Sequence, residues 1–389
     1  MKQLGIYIHI PFCVKKCVYC DFLSAPADSA TKKTYMEALQ EEIKATASQY
    51  QEYKVQTVFF GGGTPSCVDC MLIADCLKTV KECFCVAPDA EISMEFNPGT
   101  TGSDNEKTFE CLLRAGINRL SIGLQSAQNE ELKMLGRIHT YEDFLNTYAL
   151  AKRAGFQNIN IDLISALPGQ RLETWRETLK AVIACNPFHI SIYSLIVEEN
   201  TYLFDHISQY PPLPDEDTDR MMYRETNSIL AEHGYYRYEI SNYAKKGFES
   251  RHNQIYWQRG CDHINDYIGL GLGASSTVGN YRYRNTDNLV EYLKNAKTPK
   301  QLRCDEEFLS QTDLMEEFCF LGLRRMEGIS ASEFERTFGT SLGSIYQTVL
   351  NKWKDASCLC EKDGFWRLTE KGIDISNQIF ADFLDPPVL

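Results

Sequence analysis

The chain has 389 residues, of which 43% are hydrophobic and 24% are charged, and its formal net charge is −13. This length accommodates two or three domains, each with its own core. The negative charge argues against binding to nucleic acid and against attraction to anionic lipid. No apolar run approaches the ~18 residues of a membrane-spanning helix, so we expect a globular protein rather than an integral membrane protein.

The amino-terminal stretch MKQLGIYIHIPFC has some features of a signal peptide. However, His9 and Pro11 interrupt its apolar run, and no small-residue cleavage site follows. We interpret it as a first β-strand. The 15 cysteines are far below the ~8–10% of a disulfide scaffold. The predicted location is therefore the reducing cytoplasm, where clustered thiols usually serve metal or redox chemistry.

Six short apolar runs between Leu4 and about Val197 alternate with amphipathic stretches of helical periodicity. This alternation predicts parallel strands joined by right-handed crossovers. Six units favour an open or partial (β/α) barrel over a small doubly wound sheet, although their number alone leaves both folds open. In either fold, ligands bind at the carboxyl ends of the strands. The six runs are LGIYIHI, QTVFFGG, EISMEF, RLSIGLQS, NINIDLISAL and HISIYSLIV.

The pattern changes beyond Glu198, where QYPPLPDEDTD indicates a surface connection. A helix is predicted from Asp215 to His233, followed by short strands and Gly-rich loops. From about Asn288, three helices, a short hairpin and a last helix predict a small, mainly helical, winged-helix-like domain. The predicted α/β chain thus comprises a partial barrel over 1–235, connecting strands and Gly-rich loops with the HNQIYW motif over 236–287, and the winged-helix-like domain over 288–389.

The stretch CVKKCVYC places Cys13, Cys17 and Cys20 within eight residues, directly after the first predicted strand. Cys17 and Cys20 could form half of a zinc site or a redox pair. Zinc would need a second pair of ligands, and a redox dithiol would leave Cys13 unused. An iron–sulfur cluster would use all three thiolates and leave one iron without a protein ligand. Such an open position is where a substrate or cofactor can coordinate.

The C-x3-C-x2-C spacing, with Tyr19 before the last cysteine, resembles the radical S-adenosylmethionine (SAM) superfamily. The resemblance implies that the three thiolates hold a [4Fe–4S] cluster and that SAM chelates the open iron through its amino and carboxylate groups. FFGGGTP, after the second strand, resembles the loop that receives the SAM amino group in that family. A glycine triplet alone is more often a tight turn.

The resemblance covers nearly the whole chain and narrows to the branch that contains oxygen-independent coproporphyrinogen III dehydrogenase. MEFNPG, SIGLQS and IDLISALPGQ match the motifs of that branch after strands three, four and five. By this resemblance, Arg137 suits the SAM carboxylate and Asp162 the ribose hydroxyls. Each residue alone is more often an ordinary strand-end polar group, but their order at consecutive strand ends favours a SAM site. The implied SAM contacts are Tyr7, Tyr19, Gly62, Gly63, Thr64, Glu95, Gln125, Arg137 and Asp162.

Two departures from the dehydrogenase pattern resemble a group of haem chaperones within the same branch. Cys20 is followed by Asp21 and Phe22 rather than by a further cysteine one position later. The sequence also begins only twelve residues before Cys13, without the extension that helps to cover the substrate of the enzyme. These features favour the chaperones.

The stretch HNQIYW resembles the H-N-x-x-Y-W motif of the same chaperones. The resemblance implies that His252, Tyr256 and Trp257 bind haem, because imidazole is a natural axial ligand and the aromatic rings offer faces for a porphyrin. The alternative is that His252 caps a turn and that the two aromatic residues belong to the core.

The sequence therefore predicts a cytoplasmic haem chaperone that binds haem and holds a [4Fe–4S] cluster with SAM. The resemblance implies delivery of haem to membrane haemoproteins of the respiratory chain, from a peripheral position at the membrane, with a homodimer as one form. The alternative function is oxygen-independent coproporphyrinogen III dehydrogenase, an activity that we do not expect. A nucleic-acid role for the carboxy-terminal domain is disfavoured because residues 330–389 lack a Lys/Arg stripe.

A second group of cysteines follows the glycine loop. Cys67 and Cys70, spaced i,i+3 on a predicted helix, could ligate zinc or an auxiliary cluster. Cysteines in such positions are more often small core hydrophobes. We therefore favour a structural role for Cys67, Cys70, Cys76, Cys83, Cys85, Cys358 and Cys360.

Overall fold

The computed structural model describes residues 1–100, 105–258 and 266–384. Its strands form one large sheet and one small sheet. The strands are β1 (Lys2–Ile10), β2 (Tyr53–Gly62), β3 (Val86–Phe96), β4 (Arg119–Gln125), β5 (Asn158–Ser165), β6 (His189–Ser194), β7 (Tyr236–Glu239), β8 (Asn242–Ala244), β9 (Asp266–Leu270), β10 (Ser275–Val278), β11 (Tyr281–Asn285), β12 (Arg303–Phe308), β13 (Ile329–Ser330), β14 (Leu359–Lys362) and β15 (Phe365–Leu368).

The large sheet has the strand order β12-β11-β10-β9-β1-β2-β3-β4-β5-β6-β8-β7. The six predicted strands are confirmed as β1 to β6, which are parallel and lie side by side in chain order. β9 lies parallel to β1 on its other side, and antiparallel strands extend the sheet beyond β9 and beyond β6. Because β12 and β7 are the two edges of the sheet, the barrel is open, as predicted.

The helices between Ser29 and Cys185 connect successive parallel strands as crossovers. The predicted helix between Asp215 and His233 is confirmed as α8, whose cap Asp215 accepts a hydrogen bond from the Thr218 amide. The helices are α1 (Ser29–Ala47), α2 (Cys70–Cys83), α3 (Asn105–Ala115), α4 (Asn129–Met134), α5 (Tyr141–Ala154), α6 (Leu172–Cys185), α7 (Tyr202–Asp205), α8 (Glu216–Glu232), α9 (Arg251–Trp257), α10 (Leu289–Asn295), α11 (Gln311–Gly322), α12 (Ala331–Phe338), α13 (Leu342–Asp355), α14 (Glu370–Asp374) and α15 (Ser376–Ala381).

Alternation along each strand separates the hydrophobic core from the polar interior of the partial barrel. In β4, Leu120, Ile122 and Leu124 are fully buried in the main core. The intervening residues Ser121 and Gln125 face the opposite side of the sheet and line a cavity. Because successive residues point to opposite faces of the sheet, apolar side chains face the helices and polar side chains face the barrel interior.

The carboxy-terminal domain has its own core, which includes Phe318, Phe334 and Tyr346. Its element order is α11, β13, α12, α13, β14 and β15, and the small sheet has the order β13-β15-β14. Three helices with a hairpin in this order confirm the winged-helix-like prediction.

The boundary between the two cores lies further along the chain than residue 288. Tyr292 and Leu302 belong to the main core, and β12 extends the large sheet. Tyr292 also donates a hydrogen bond of 2.6 Å to the buried carboxylate of Glu42 in α1. The second core begins at Met315. In the part of the chain that the structure describes, no helix combines the length and apolarity needed to cross a bilayer.

Candidate SAM and iron–sulfur site

A cavity of about 440 Å³ opens at the carboxyl ends of the parallel strands. The loop after β1 brings all three predicted cluster ligands, Cys13, Cys17 and Cys20, into its wall. The alternating polar residues of the strands form the rest of the wall. The predicted SAM contacts that line the cavity are Tyr19, Gly62, Gly63, Thr64, Glu95, Gln125, Arg137 and Asp162.

The cysteine loop is held by backbone hydrogen bonds at several points. The Cys13 amide donates to the Ala25 carbonyl at 3.2 Å, and the Val18 amide donates to the Leu135 carbonyl at 3.2 Å. Cys13 is buried, whereas Cys17 and Cys20 are half-buried. Burial raises the pKa of the Cys20 thiol to about 11. The loop thus presents three thiols to one cavity from a fixed backbone.

The three thiols do not converge on a single point. In the described residues, no group of three His, Cys, Asp or Glu side chains could hold one metal ion. A [4Fe–4S] cluster spreads its thiolate ligands over different irons, so it fits three separated thiols on one wall better than zinc does. The donor set therefore suits a cluster with one iron left open.

The glycine loop after β2 lies directly on the cysteine loop. The Gly63 amide donates to the Ile10 carbonyl at 2.9 Å, and the Thr64 amide donates to the Phe12 carbonyl at 2.7 Å. A Cβ atom on Gly63 would lie 2.6 Å from the Phe12 carbonyl oxygen, so no larger residue fits. Gly62 has φ = +111°, a conformation that also favours glycine. Only glycine allows the two loops to approach this closely.

A hydrogen-bonded chain connects two of the predicted cluster ligands. Thr64 Oγ1 donates to Cys13 Sγ at 3.4 Å and accepts from Asn97 Nδ2 at 2.9 Å. Arg137 donates through Nη2 to Asn97 Oδ1 at 2.7 Å and through Nη1 to Cys17 Sγ at 3.5 Å. Positive charge and N–H donors next to sulfur stabilise thiolates. Asn97 therefore links the glycine loop to the arginine.

Asn97 is a residue that the sequence analysis missed. It stands in the quoted motif MEFNPG, directly after β3, so the signal that could have found it was its position at a strand end. Its partners Thr64 and Arg137 are distant in sequence. The side chain acts by positioning both of them.

Two acidic side chains line the deeper part of the cavity. Burial, together with the nearby charge of Asp162, raises the pKa of Glu95 to about 8. Glu95 accepts a hydrogen bond from the Gly62 amide at 3.1 Å. Burial also raises the pKa of Asp162, which accepts hydrogen bonds from Ser121 at 2.8 Å and Asn160 at 2.7 Å. The carboxyl group of Glu95 is therefore poised to become ionised when a cationic ligand binds.

Other polar atoms in the cavity wall lack partners. Arg137 Nε and Gln125 Oε1 are buried, and neither has a hydrogen-bond partner in the described residues. Gln125 also has φ = +67°, a conformation that is strained for a residue with a side chain. Burial raises the pKa of Tyr19, which lies beside Arg137. Unsatisfied buried groups and local strain are typical of a site shaped for a ligand.

Tyr7 is the one predicted SAM contact that does not line the main cavity. It lines a smaller chamber of about 190 Å³, which shares Glu95, Ser121, Asp162 and Tyr193 with the main cavity. The Tyr7 hydroxyl lies 3.1 Å from His9 Nδ1. A role for Tyr7 as a SAM contact stays a prediction.

The chamber contains another residue that the sequence analysis did not single out. Arg119 is 2% exposed, and its Nε has no hydrogen-bond partner in the described residues. Its positive charge acts to lower the pKa of Asp162, which opposes the effect of burial. The signal available in the sequence was an arginine at the first position of the predicted strand RLSIGLQS.

The HNQIYW motif forms the short helix α9. His252 is 1% exposed, its Nδ1 lies 2.7 Å from Thr57 Oγ1, and its Nε2 lies 2.9 Å from the Tyr256 hydroxyl. Burial lowers the pKa of His252 to about 3. Trp257 is half-buried, with Arg324 over its ring at 4.4 Å. Haem binding by His252, Tyr256 and Trp257 stays a prediction, and iron ligation by His252 would require one of these hydrogen bonds to break.

The second group of cysteines is dispersed. Cys76 is fully buried in the main core, and Cys85 is exposed. Cys67 and Cys70 are half-buried and pack against the main core. Since these thiols form no three-ligand metal group within the described ranges, their arrangement favours the structural role.

Comparisons with known proteins extend over both cores. The model of the Radical SAM superfamily matches residues 7–182, and the model of the HemN C-terminal domain matches residues 309–375. The protein "Heme chaperone HemW" of Lactococcus lactis subsp. lactis (strain IL1403) is 35% identical over 98% of this chain and 98% of the relative. The protein of the same name from Escherichia coli (strain K12) is 35% identical over 99% of both chains.

Among solved structures, coproporphyrinogen III oxidase (HemN) from Escherichia coli matches with a TM-score of 0.86. The match covers 98% of this chain and 90% of that chain at 24% identity, and it shows a shared fold. A [4Fe–4S] cluster and SAM are the cofactors that the superfamily implies, and the three thiols and the polar cavity described above suit both. The chain therefore belongs to the HemW family, in the HemN-like branch of the radical SAM superfamily.

Proposed function

We propose that the chain is a haem chaperone that holds a [4Fe–4S] cluster and SAM, binds haem and delivers it to membrane haemoproteins. The observation that carries this proposal is a sequence identity of 31–35%, over nearly the full length, to several proteins named Heme chaperone HemW. The solved coproporphyrinogen III oxidase shares the fold but is only 24% identical.

In this proposal, Cys13, Cys17 and Cys20 hold the cluster, and SAM occupies the rest of the main cavity. When bound, the cluster supplies an electron source and an open iron position. Arg137 is suited to hold the SAM carboxylate, because its guanidinium already lies beside Cys17. Asn97 orients Arg137, and the Gly62–Thr64 backbone leaves room for the SAM amino group.

The deeper residues are suited to the remaining parts of SAM. Asp162 suits the ribose hydroxyls, because Ser121 and Asn160 hold its carboxylate in place. The cationic end of SAM, placed beside Glu95, favours the ionised form of its carboxyl group. Gln125, Tyr19 and, from the adjoining chamber, Tyr7 complete the proposed SAM site.

The proposed haem partner calls for recipient proteins outside the chain. We propose respiratory-chain haemoproteins of the membrane as recipients, a cytoplasmic location with peripheral membrane contact during delivery, and a homodimer as one form. Haem transfer to a recipient apoprotein in lipid vesicles tests the delivery step. A recipient that acquires no haem from the loaded protein would remove delivery from the proposal.

The second candidate function is oxygen-independent coproporphyrinogen III dehydrogenase, which the TM-score of 0.86 to coproporphyrinogen III oxidase favours. The deciding experiment uses the cluster-reconstituted chain under anaerobic conditions. One arm is a titration with haem, and the other is an incubation with coproporphyrinogen III, SAM and a reductant, with the Escherichia coli oxidase as a positive control. We expect saturable haem binding and no decarboxylated product. Product without haem binding would replace the chaperone by the enzyme.

A further inference from the structure

A buried guanidinium lies in the chamber of about 190 Å³ behind the main cavity, which we call the Arg119 chamber. Arg119 is the first residue of β4 and is 2% exposed. Its Nε has no hydrogen-bond partner in the described residues. A buried charge is costly unless it is paired and hydrogen-bonded. The side chain therefore lacks the partner that its burial requires.

The two carboxyl groups of the chamber are engaged elsewhere. Asp162 accepts its hydrogen bonds from Ser121 at 2.8 Å and from Asn160 at 2.7 Å. Arg119 acts on Asp162 through its charge, which opposes the effect of burial on the pKa of that carboxyl group. Burial, together with the nearby charge of Asp162, raises the pKa of Glu95 to about 8, so Glu95 is mostly protonated at neutral pH. The guanidinium is thus left without a hydrogen-bonded counter-ion.

The positive charge of Arg119 also reaches helix α9. His252, Asn253 and Tyr256 of α9 line the same chamber. Burial and, to a smaller extent, the charge of Arg119 lower the pKa of His252 to about 3. A cation beside an axial ligand also repels ferric iron. Haem ligation by His252 is therefore more favourable when an anion neutralises Arg119.

The Arg119 chamber suits a carboxylate in size and in chemistry. Its volume of about 190 Å³ is below the ~300–1,000 Å³ of pockets that enclose whole drug-sized ligands, but it far exceeds the ~10–15 Å³ that one water needs. A guanidinium forks onto the two oxygens of a carboxylate. Ser191, Asn253 and Tyr256 add further polar groups to the wall. The chamber therefore fits a small acid or the acidic end of a larger ligand, and not a tetrapyrrole ring.

We propose that the Arg119 chamber is a binding subsite for a carboxylate, which pairs with the guanidinium. This inference rests on the proposed haem-chaperone function and extends it, because haem carries propionate side chains. Iron ligation by His252 breaks one of its two hydrogen bonds, so α9 is the wall of the chamber that changes when haem binds. A small free acid is the other source of a carboxylate, and it would enter from the main cavity, which shares Glu95 and Ser121 with the chamber.

The first test is an anaerobic titration of the full-length, cluster-reconstituted chain with haem and with haem dimethyl ester, which lacks the propionate charges. We expect Arg119→Gln to weaken haem binding by about tenfold, the worth of a hydrogen bond to a charged group. The ester should bind the wild type about tenfold less tightly than haem does. It should bind wild type and Arg119→Gln equally, because both changes remove the same contact. Arg119→Lys, which keeps the charge, should retain part of the preference for haem.

Denaturant unfolding separates this role from a structural one. Without ligand, Arg119→Gln should be at least as stable as the wild type, because it removes a buried charge that has no partner. Arg237→Gln is the matched control, since Arg237 is also buried but donates to Glu370 at 2.7 Å. This control should lose stability and keep the preference for haem over the ester. A loss of stability in Arg119→Gln with an unchanged preference would make Arg119 a structural residue and overturn the proposal.

The second test uses sodium formate as the probe for a small free acid. Formate should raise the midpoint of thermal unfolding of the haem-free wild type in a saturable way, because a ligand that binds the folded state stabilises it. Sodium chloride at the same concentration controls for ionic strength. Arg119→Gln should respond to the two salts equally.

The contrary outcomes are distinct. Equal binding of haem and its dimethyl ester by the wild type, together with a formate response that depends on Arg119, would assign the subsite to a small acid instead of a haem propionate. Absence of both the ester effect and the formate effect would show that the chamber holds only water, and the proposal fails. If the wild type responds to formate but shows no saturable haem binding, the chaperone function fails while the carboxylate subsite stands.

Discussion

The main cavity and helix α9 both carry motifs of the same family, but His252 of α9 differs from the cavity wall in the state of its polar atoms. In the cavity wall, Arg137 Nε and Gln125 Oε1 are buried without partners, and three thiols share one space. In α9, both nitrogens of His252 are hydrogen-bonded within the protein, whereas Trp257 Nε1 is buried without a hydrogen-bond partner in the described residues. Buried polar groups that lack partners favour the binding of a ligand that supplies them. The unsatisfied atoms, more than the motif, distinguish a site prepared for a ligand from a stabilising contact.

The largest expected effect is at the cysteine loop. Cys13→Ser should abolish cluster assembly, because Cys13 is one of the three thiols that the described residues contribute to the cavity wall. Iron and sulfide analysis after anaerobic reconstitution measures the effect. Cys85→Ser, at an exposed thiol outside the cavity, is the control and should keep its full iron content. Equal iron in both variants would show that the cavity is not the cluster site.

The next effect concerns the contact between the glycine loop and the cysteine loop. In Gly63→Ala the new Cβ meets the Phe12 carbonyl oxygen at 2.6 Å, so the two loops must separate. We expect a loss of about 3 kcal/mol in the free energy of unfolding, near the upper end of overpacking costs, together with weaker SAM binding. Denaturant unfolding and SAM titration measure the two quantities.

Gly343→Ala provides the control for this substitution. Gly343 lies in α13, where a Cβ would meet only the flexible Gln347 side chain at 3.0 Å. Replacement of glycine by alanine in a helix stabilises by roughly 0.5–1 kcal/mol. Similar behaviour of the two variants would mean that the close approach of the loops is unimportant.

On the side of α9, the pH dependence of stability tests whether His252 is a satisfied core residue. Its pKa is lowered to about 3 by burial, so the folded state keeps His252 neutral while the unfolded state binds a proton below pH ~6.5. Stability from this group is therefore present above pH ~6.5 and falls as the pH decreases. Between pH 6.5 and 5 the expected loss is about 2 kcal/mol.

Denaturant unfolding of wild type and His252→Gln at these two pH values measures the contribution. The variant should lose about 2 kcal/mol less than the wild type over this interval. The same pH dependence in both proteins would show that His252 is not held neutral in the core. His252 would then be able to accept a proton or a ligand, as the polar groups of the cavity wall are, despite its two hydrogen bonds.

The smallest expected effect is at Asn97, which links the glycine loop to Arg137. Asn97→Ala removes the acceptor of Arg137 and the donor to Thr64, so we expect SAM affinity to fall by about tenfold, the worth of a buried hydrogen bond. Asn351→Ala, at an exposed amide of α13, should leave the affinity unchanged. SAM binding to the cluster-reconstituted proteins measures both. Unaltered SAM binding in Asn97→Ala would show that Asn97 does not position Arg137 and Thr64 for SAM.

The sequence allowed the parallel core of the fold to be predicted, because strands buried on one face leave a local period. In β4 the fully buried residues Leu120, Ile122 and Leu124 alternate with residues of the barrel interior. The cap at Asp215 likewise marked the start of α8. β12 gave no such signal, because an exposed acidic strand at a sheet edge has no buried face. For this reason the predicted boundary at 288 falls before the end of the large sheet.

The candidate site could be predicted as a set of residue types but not as a network. Resemblance assigned Thr64 and Arg137, and the structure brings both into one cavity. Asn97 was missed because its two partners are 33 and 40 residues away along the chain. The partner of His252 Nδ1, Thr57, is 195 residues away. No local pattern shows whether a polar atom will be satisfied by such a distant group.

The position of β1 between β2 and β9 has a consequence for biosynthesis. Residues Leu4 to Ile8 pair with Asp266 to Leu270, which the ribosome adds about 260 residues later. At ~5–20 residues per second, one edge of β1 stays without its neighbour for roughly 13–50 s. During that time the strand that precedes the cysteine loop is an open edge, which invites pairing with other chains. Slowed translation before Asp266 should therefore increase aggregation of the nascent protein more than slowed translation after Leu270.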